Sequence, residues 1–262
     1  MNQLFLYKIF NLTFKAFKSN MKSLKGGEVM IGKKILFFKS LESTNDYAKK
    51  HLDTLENGNV ITSKIQTKGK GRRGNTWVSN DGNLYFSFVL KDAVRLTTFD
   101  LIMKTSLAII HVLESLGLEA YIKYPNDIMV RGRKIAGILI ENIIKEQNQY
   151  IIGVGINCKE ELFFGMEKKA TSLFIETNNE IEPLDVLALF IKSYNDLNRL
   201  FTREMHKAYL EKSIVIGKTI TYNNKEALID TITKDGYLKL IVEHQVHFVA
   251  MNEVTLKELY YD

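Results

Sequence analysis

Apolar and polar positions along the chain follow a strand period and a helix period in turn, and their order predicts a mixed architecture. Lys34–Lys39 (KILFFK) reads as a strand, after which Ser43 or Thr44 N-caps a helix carrying Tyr47, Ala48 and Leu52 on one side. Asn57-Gly58 turns the chain back into a strand with Val60, Ile61 and Ile65, and Asn83–Leu90 makes a third, strongly apolar one. Helical spacing takes over from Phe99 to Leu116, with Leu101, Ala108, Val112 and Leu116 on one face and Gly117 at the C-terminal cap. Tyr121–Val130, Lys134–Ile144 and Tyr150–Asn157 read as successive strands, the first two joined by a tight Arg131-Gly132-Arg133 turn. Pro183 opens a long helix predicted to run through Phe190, Tyr194, Leu197 and Phe201 toward Leu210. From Gly217 onward, short strand-like runs with turns at Asn223-Asn224 and Asp235-Gly236 predict a small separate β-barrel. The fold class is therefore α+β, a mixed sheet with flanking helices plus a C-terminal β module. The expected division is an N-terminal extension over 1–30, a main domain over 31–212 and the β-barrel over 213–262.

Composition narrows this only a little. With 262 residues and 45% hydrophobic content, the chain can bury one sizeable core and a small second domain. A net charge of +6 favours acidic or phosphorylated partners without separating a nucleic acid from a nucleotide. A lone cysteine, Cys158, excludes an internal disulfide and a thiolate zinc site, which fits a reducing, cytoplasmic setting. In residues 1–30, Phe5, Ile9, Leu12, Phe14 and Phe17 alternate with Lys8, Lys15 and Lys18, giving a basic amphipathic stretch. Met21 and Met30 offer later translation starts, so the expectation there is a poorly ordered extension. No apolar run is long enough to span a bilayer, and no membrane partner is expected.

Three clusters carry candidate chemistry. Gln66–Trp77 interleaves Gly69, Gly71 and Gly74 with Lys68, Lys70, Arg72 and Arg73, a backbone that approaches an anion closely and the charge to hold it. A solvated turn or a nucleic-acid contact would read the same way. In Lys123-Tyr-Pro-Asn-Asp127, Pro125 removes a ladder donor from an apolar run, so an edge or bulge re-aims Asn126 and Asp127 toward magnesium or a substrate amine. The alternative is an Asn-Asp turn satisfying its own backbone. Lys134 heads the apolar strand Ile135–Ile140, placed to clamp a carboxylate and phosphate or simply to guard a strand edge. Gly153-Val-Gly-Ile-Asn157 would let a flat ligand lie on bare backbone, or mark a bulge.

Taken in order, Ser43-Thr44-Asn45, Gln66 with Gly69–Gly74 and Trp77, Lys123–Asp127 with Lys134–Gly137, and Gly153–Asn157 closely resemble the biotin protein ligase family, firmly from Ile31 to Asn157. The resemblance implies a class II synthetase-like catalytic domain with an SH3-like barrel. It also implies activation of biotin by ATP to biotinyl-5′-adenylate, then transfer to one lysine of the biotin carboxyl carrier protein domain of a carboxylase, with Mg²⁺ as cofactor. It gives Arg72, Lys134 and Asp127 catalytic roles, Asp127 orienting the acceptor amine. Biotin would meet Ser43, Thr44, Asn45, Gln66, Gly69, Lys70, Arg72, Lys134, Gly137 and Gly153. ATP and the adenylate would meet Lys70, Arg72, Arg73, Trp77, Lys123, Asn126, Lys134 and Asn157, with Asn126 and Asn157 placing Mg²⁺ through water.

The departures are specific. Lys70 stands where the family usually has Arg and loses the bidentate fork, Lys68 replaces a small residue, and Tyr124 replaces a Trp. Asn252-Glu253-Val254 stands in for Gly-Glu-Val, and Lys257 lies near where an Arg helps with ATP. The stretch before Ile31 is shorter than the winged helix of repressor-type members, so a ligase-only enzyme without DNA binding, monomeric or homodimeric, is expected. The nearest rival, a lipoate ligase or octanoyltransferase, lacks support because its Gly-triplet is missing and Cys158 reads as a small buried hydrophobe. A basic nucleic-acid-binding module would need aromatics interleaved with the basic run, and only Trp77 is there.

Overall fold

The computed structural model describes residues 29–91, 96–144, 148–163, 169–251, 253 and 256. The readings of residues 1–28, Asn252, Val254 and Lys257 fall outside them. Strands β1 (Ile35–Leu41), β2 (Val60–Gln66), β3 (Leu84–Leu90), β4 (Ala120–Lys123), β5 (Asp127–Val130), β6 (Arg133–Ile144) and β7 (Asn148–Ile156) form one seven-stranded sheet in the order β1-β2-β3-β7-β6-β5-β4. Only β1 and β2 pair in parallel, around helix α1 (Thr44–Lys50); every other neighbour is antiparallel. Helices α2 (Thr98–Ser115), α3 (Leu173–Thr177), α4 (Pro183–Asp196) and α5 (Thr202–Lys212) follow. Among the described residues no helix is long and apolar enough to cross a membrane.

Side-chain alternation gives the sheet two unlike faces. From β3, Leu84, Phe86, Phe88 and Leu90 point to the face covered by α2 and α4, together with Ile152, Val154 and Ile156 of β7 and Ala136 and Ile138 of β6. Phe86 meets Phe190 edge to face at 4.9 Å, and Phe88 meets Tyr194 the same way at 4.9 Å. Each such fully buried ring contributes about 1.5–3 kcal/mol. On the opposite face, Val89, Ile151 and Ile61 pack beneath Ala48 of α1 and Leu52 of the turn after it as a small second cluster. One step along the same face the sheet carries Ser87, Gly153, Gly155 and Gly137 in place of apolar bulk. That row of small residues leaves the cleft.

Two expectations required correction. The predicted strand Tyr121–Val130 is a hairpin: β4 and β5 pair antiparallel from Ile122↔Ile128 to Lys123↔Asp127, across a turn with a cis Tyr124-Pro125 bond. A proline in mid-run therefore closed a tight turn at the sheet edge, which brings Asp127 opposite Lys123. The predicted single helix from Pro183 to Leu210 breaks after Asp196 and restarts at Thr202. Glu204 caps the restart by accepting from the Phe201 amide at 2.9 Å, and the break lets two stripes serve different partners. Phe190 and Tyr194 cover β3, while Tyr209 packs on Phe99 and donates to the Pro125 carbonyl at 2.8 Å. The short helix α3, capped by Ser172, had no periodic signal in the sequence.

The C-terminal strands β8 (Thr219–Tyr222), β9 (Lys225–Ile232), β10 (Leu238–Val242) and β11 (Gln245–Val249) form a four-stranded antiparallel sheet. Its first turn uses Asn223 and Asn224 at φ 50° and 61°, as their residue type predicts. The module packs directly on the main sheet. Tyr124 donates its hydroxyl to the Gly236 carbonyl at 2.5 Å, and a Cβ on Gly236 would sit 2.7 Å from the Phe99 ring. Ile220, Ile229 and Leu240 join the main apolar core.

Candidate active site

Ser43 N-caps α1, its Oγ accepting from the Asp46 amide at 3.3 Å, and this sets Thr44 and Asn45 in the first turn facing the sheet. The Thr44 amide donates to Gln66 Oε1 at 2.8 Å at the end of β2. Gln66 Nε2 donates to Ser79 Oγ at 3.0 Å, and Ser79 Oγ donates to the Trp77 carbonyl at 2.9 Å. One glutamine thus ties the helix start to both ends of the Gly-rich loop. Within that loop, Gly71 N donates to Asn75 O and Trp77 N to Gly69 O, so the loop is a closed hairpin rather than an open turn.

Three glycines form the floor. A Cβ on Gly155 would lie 2.6 Å from the Trp77 ring, one on Gly137 2.8 Å from it, and one on Gly153 2.2 Å from Asn45 Oδ1. The indole rests on bare backbone, with its buried Nε1–H unpartnered among the described residues. Lys134 Nζ stands 5.0 Å from the indole ring and 2.7 Å from Asp127 Oδ1. Its backbone is held on the far side by a strand-like bridge to Ala170, with Lys134 N donating to Lys169 O and Thr171 N to Lys134 O.

Arg72 reaches from the loop to Asn126, donating to Oδ1 at 2.9 Å, and to the Met251 carbonyl at 3.4 Å. Burial lowers its guanidinium below the ordinary value, Arg73 adds to that, and Asp127 opposes it. The cation is thus poised to gain from an anionic ligand. The lysines absent from the family pattern have structural partners. Lys68 pairs with Glu42 at 2.8 Å and Lys70 with Asp46 at 2.7 Å, fastening the loop to the start of α1. Both pairs are solvent-exposed and worth about 0–1 kcal/mol each.

The cleft brings together Ser43, Thr44, Asn45, Gln66, Lys70, Arg72, Trp77, Asn126, Lys134, Gly137 and Gly153. Asp127 stands behind them, paired to Lys134. Four further expected residues are not in its lining. Gly69 is small for an internal reason, since a Cβ there would strike the Trp77 carbonyl at 2.3 Å. Arg73 is exposed, at φ 55°. Asn157 donates its amide to the Thr171 carbonyl at 2.9 Å, bracing the segment beside Lys134. Lys123 is 3% exposed at the end of β4. Asn126 and Asn157 do not fit a Mg²⁺ ion: the Asn126 oxygen is taken by the Arg72 cation, and Asn157 lies outside the cleft. Among the described residues no cluster of three His, Cys, Asp or Glu side chains could hold a metal.

Lys123 gives a pH prediction. Burial draws its amine down from 10.5 to about 7, opposed by Asp127 and assisted by Lys134. Between these two values the unfolded chain binds the extra proton, so stability rises as pH rises through that window; below it the cost of the buried cation is fully present. Lys123→Met is expected to raise the melting temperature at pH 6 by a few degrees and to flatten the rise at higher pH. An unaltered profile in thermal denaturation would assign the dependence to another group.

Sequence reasoning missed Ser87, Glu141 and Glu176. Ser87 was visible as the one polar residue in LYFSFVL, and Glu141 as an acid closing the apolar run of β6. The Glu176 carboxylate, its side chain fully buried, accepts from Arg133 Nη2 and Thr171 Oγ1 at 2.6 Å each, which locks the backbone on both sides of Lys134.

A glycine floor, the cations Lys70, Arg72 and Lys134, and neutral amide and hydroxyl groups in one cleft define a protein suited to holding a small acid. Residues 37–157 match the model of the biotin/lipoate A/B protein ligase family. The chain is 30% identical over 196 residues to the biotin--[acetyl-CoA-carboxylase] ligase of Paracoccus denitrificans, covering 68% of this chain and 80% of that one. It belongs to this family, on its biotin protein ligase branch. It is also 30% identical to the bifunctional ligase/repressor BirA of Bacillus subtilis over 72% of its own length, and spans 62% of that relative. The fold matches that of the Aquifex aeolicus biotin protein ligase solved with biotin and ATP, with a TM-score of 0.75 at 22% identity, over 86% of this chain and 98% of that one.

Proposed function

We propose that this chain activates biotin with ATP and transfers it to a lysine of a biotin carboxyl carrier domain. The observation that carries the reading is the convergence of Arg72 and Lys134 on a glycine-floored cleft that also presents the neutral hydrogen-bonding groups of Ser43, Thr44, Asn45 and Gln66, with the nearby Lys70 ammonium paired to Asp46. Biotin has that polarity: an uncharged cyclic urea at one end and a carboxylate at the other. A biotin carboxylate oxygen attacks the α-phosphorus of ATP, pyrophosphate leaves, and a mixed anhydride remains. Two anions must meet for this, and Lys134 and Arg72 offset their repulsion and the charge that develops. Mg²⁺ would be supplied with the nucleotide and would offset the charge of its phosphates. Trp77, seated on Gly137 and Gly155, offers a flat face to the adenine.

Transfer follows. An acceptor lysine amine attacks the anhydride carbonyl and AMP leaves. Asp127, 2.7 Å from the Lys134 ammonium, stands beside the reacting groups, where its carboxylate can orient that amine and take its proton. Asp127→Ala is expected to slow biotinyl transfer at least as much as adenylate formation, by about a hundredfold. Single-turnover transfer from preformed adenylate checks this, and an undiminished transfer rate would remove Asp127 from that role. The function itself is tested by calorimetry with biotin and with lipoate, each with and without Mg-ATP. Biotin is expected to bind and lipoate not; a preference for lipoate would assign the chain to the other branch of the family.

A further inference from the structure

One hydrogen-bond chain runs behind the lining of the cleft. It starts at Glu141 on β6, where Oε2 accepts from Asn45 Nδ2 at 3.0 Å and Oε1 lies 3.4 Å from Lys49 Nζ. It passes through Ser87 on β3, whose Oγ lies 2.6 Å from Asn45 Oδ1 and 2.7 Å from Thr44 Oγ1. It ends where Thr44 Oγ1 lies 3.1 Å from Gln66 Oε1, in the cleft. Ser87 is fully buried, and Thr44 and Asn45 are each 3% exposed.

Counting protons fixes the direction of this chain. A carboxylate beside a lysine only accepts, so the Asn45 amide turns its NH₂ to Glu141 and its carbonyl to Ser87. That carbonyl also only accepts, so the single Ser87 proton goes to Asn45. The 2.7 Å contact between the two hydroxyls is then made by the proton of Thr44. Gln66 Oε1 already accepts from the Thr44 amide, and its Nε2 is turned to Ser79. The 3.1 Å gap between Thr44 Oγ1 and Gln66 Oε1 therefore holds two acceptors and no proton. Such a pair is repulsive until a donor enters between them.

We propose that Glu141 and Ser87 are positioning residues that order these protons and make the Thr44–Gln66 oxygens a subsite selective for an N–H donor. The proposal rests on the reading that biotin occupies the cleft, since its cyclic urea carries such a donor and the dithiolane ring of lipoate carries none. It adds that selectivity is set by side chains outside the cleft lining, with the charge of Glu141 as its source.

The test is the split between substrates in biotin-dependent ATP–pyrophosphate exchange. Ser87→Ala leaves Thr44 free to donate to Gln66 and close the gap, and KM for biotin is expected to rise about ten- to a hundredfold. KM for ATP, kcat and the melting temperature stay near their wild-type values. Glu141→Gln keeps the shape but lets the Asn45 amide turn over, with an expected rise of about three- to tenfold in the same constant. Lys49→Ala, which keeps the carboxylate, leaves it unchanged. Biotin KM unaltered in both Ser87→Ala and Glu141→Gln overturns the proposal, and so does a parallel loss for ATP, which a merely structural role would give. Should Ser87→Ala fail to fold, Glu141→Gln at the more exposed end of the chain decides. A wild-type protein without biotin-dependent exchange would instead overturn the functional reading and this inference with it.

Discussion

Lys134→Ala is expected to lower biotin-dependent ATP–pyrophosphate exchange by about a hundred- to a thousandfold while leaving the fold intact. The ammonium group is the part that matters, because the backbone of Lys134 is held independently by Lys169, Thr171 and the Glu176 clamp. Losing it removes a cation from the point where carboxylate and phosphate meet. It also strips Asp127 of its 2.7 Å partner and leaves a negative charge facing two anions. Lys134→Arg restores the charge but not the compact point geometry, and is expected to recover only part of the rate. Initial exchange rates read beside the melting temperature separate the two contributions. Near wild-type exchange in Lys134→Ala would take the residue out of the mechanism.

Gly153→Val should abolish useful biotin binding for a different reason. A strand position normally welcomes a β-branched residue, so propensity alone favours the change. Here the first added carbon falls 2.2 Å from Asn45 Oδ1 and 2.9 Å from its amide carbon. Asn45 cannot step aside without breaking its bonds to Ser87 and Glu141. Overpacking of this kind costs about 1–3 kcal/mol. The cost falls on the cleft, so affinity for biotin is expected to drop about ten- to a hundredfold. Calorimetry with biotin is the direct measurement; full affinity accompanied by a lower melting temperature would show that the strand yields and the site does not.

The elements were legible wherever one period dominated. β3 and α2 emerge within a residue or two of their predicted bounds, because LYFSFVL is buried on both faces and α2 must present one apolar stripe to the sheet. The tight turns at Gly132 and Asn223-Asn224 follow from residues that tolerate positive φ, while Arg131 is held at φ 47° against its type. The misread stretches are those where local pattern and tertiary demand diverge. Lys123–Asp127 carries strand-like neighbours around a turn, and Leu197–Phe201 carries helical spacing across a break that redirects α5 onto Phe99 and Pro125.

The sequence by itself determined which residue types the chain brings to its chemistry: the glycines, the cations Arg72 and Lys134, and the amides and hydroxyls of Ser43-Thr44-Asn45 and Gln66. Their motifs sufficed because each role depends on chemical identity and short spacing. Only the tertiary structure decided which of them share one cleft, that Lys68 and Lys70 fasten the loop, and that Asn157 braces the segment beside Lys134. It alone brought Glu141, Asn45, Ser87 and Thr44 into one proton-ordered chain. Those contacts cross from β6 through α1 to β3, over separations up to 96 residues, and no local pattern encodes a distance of that kind.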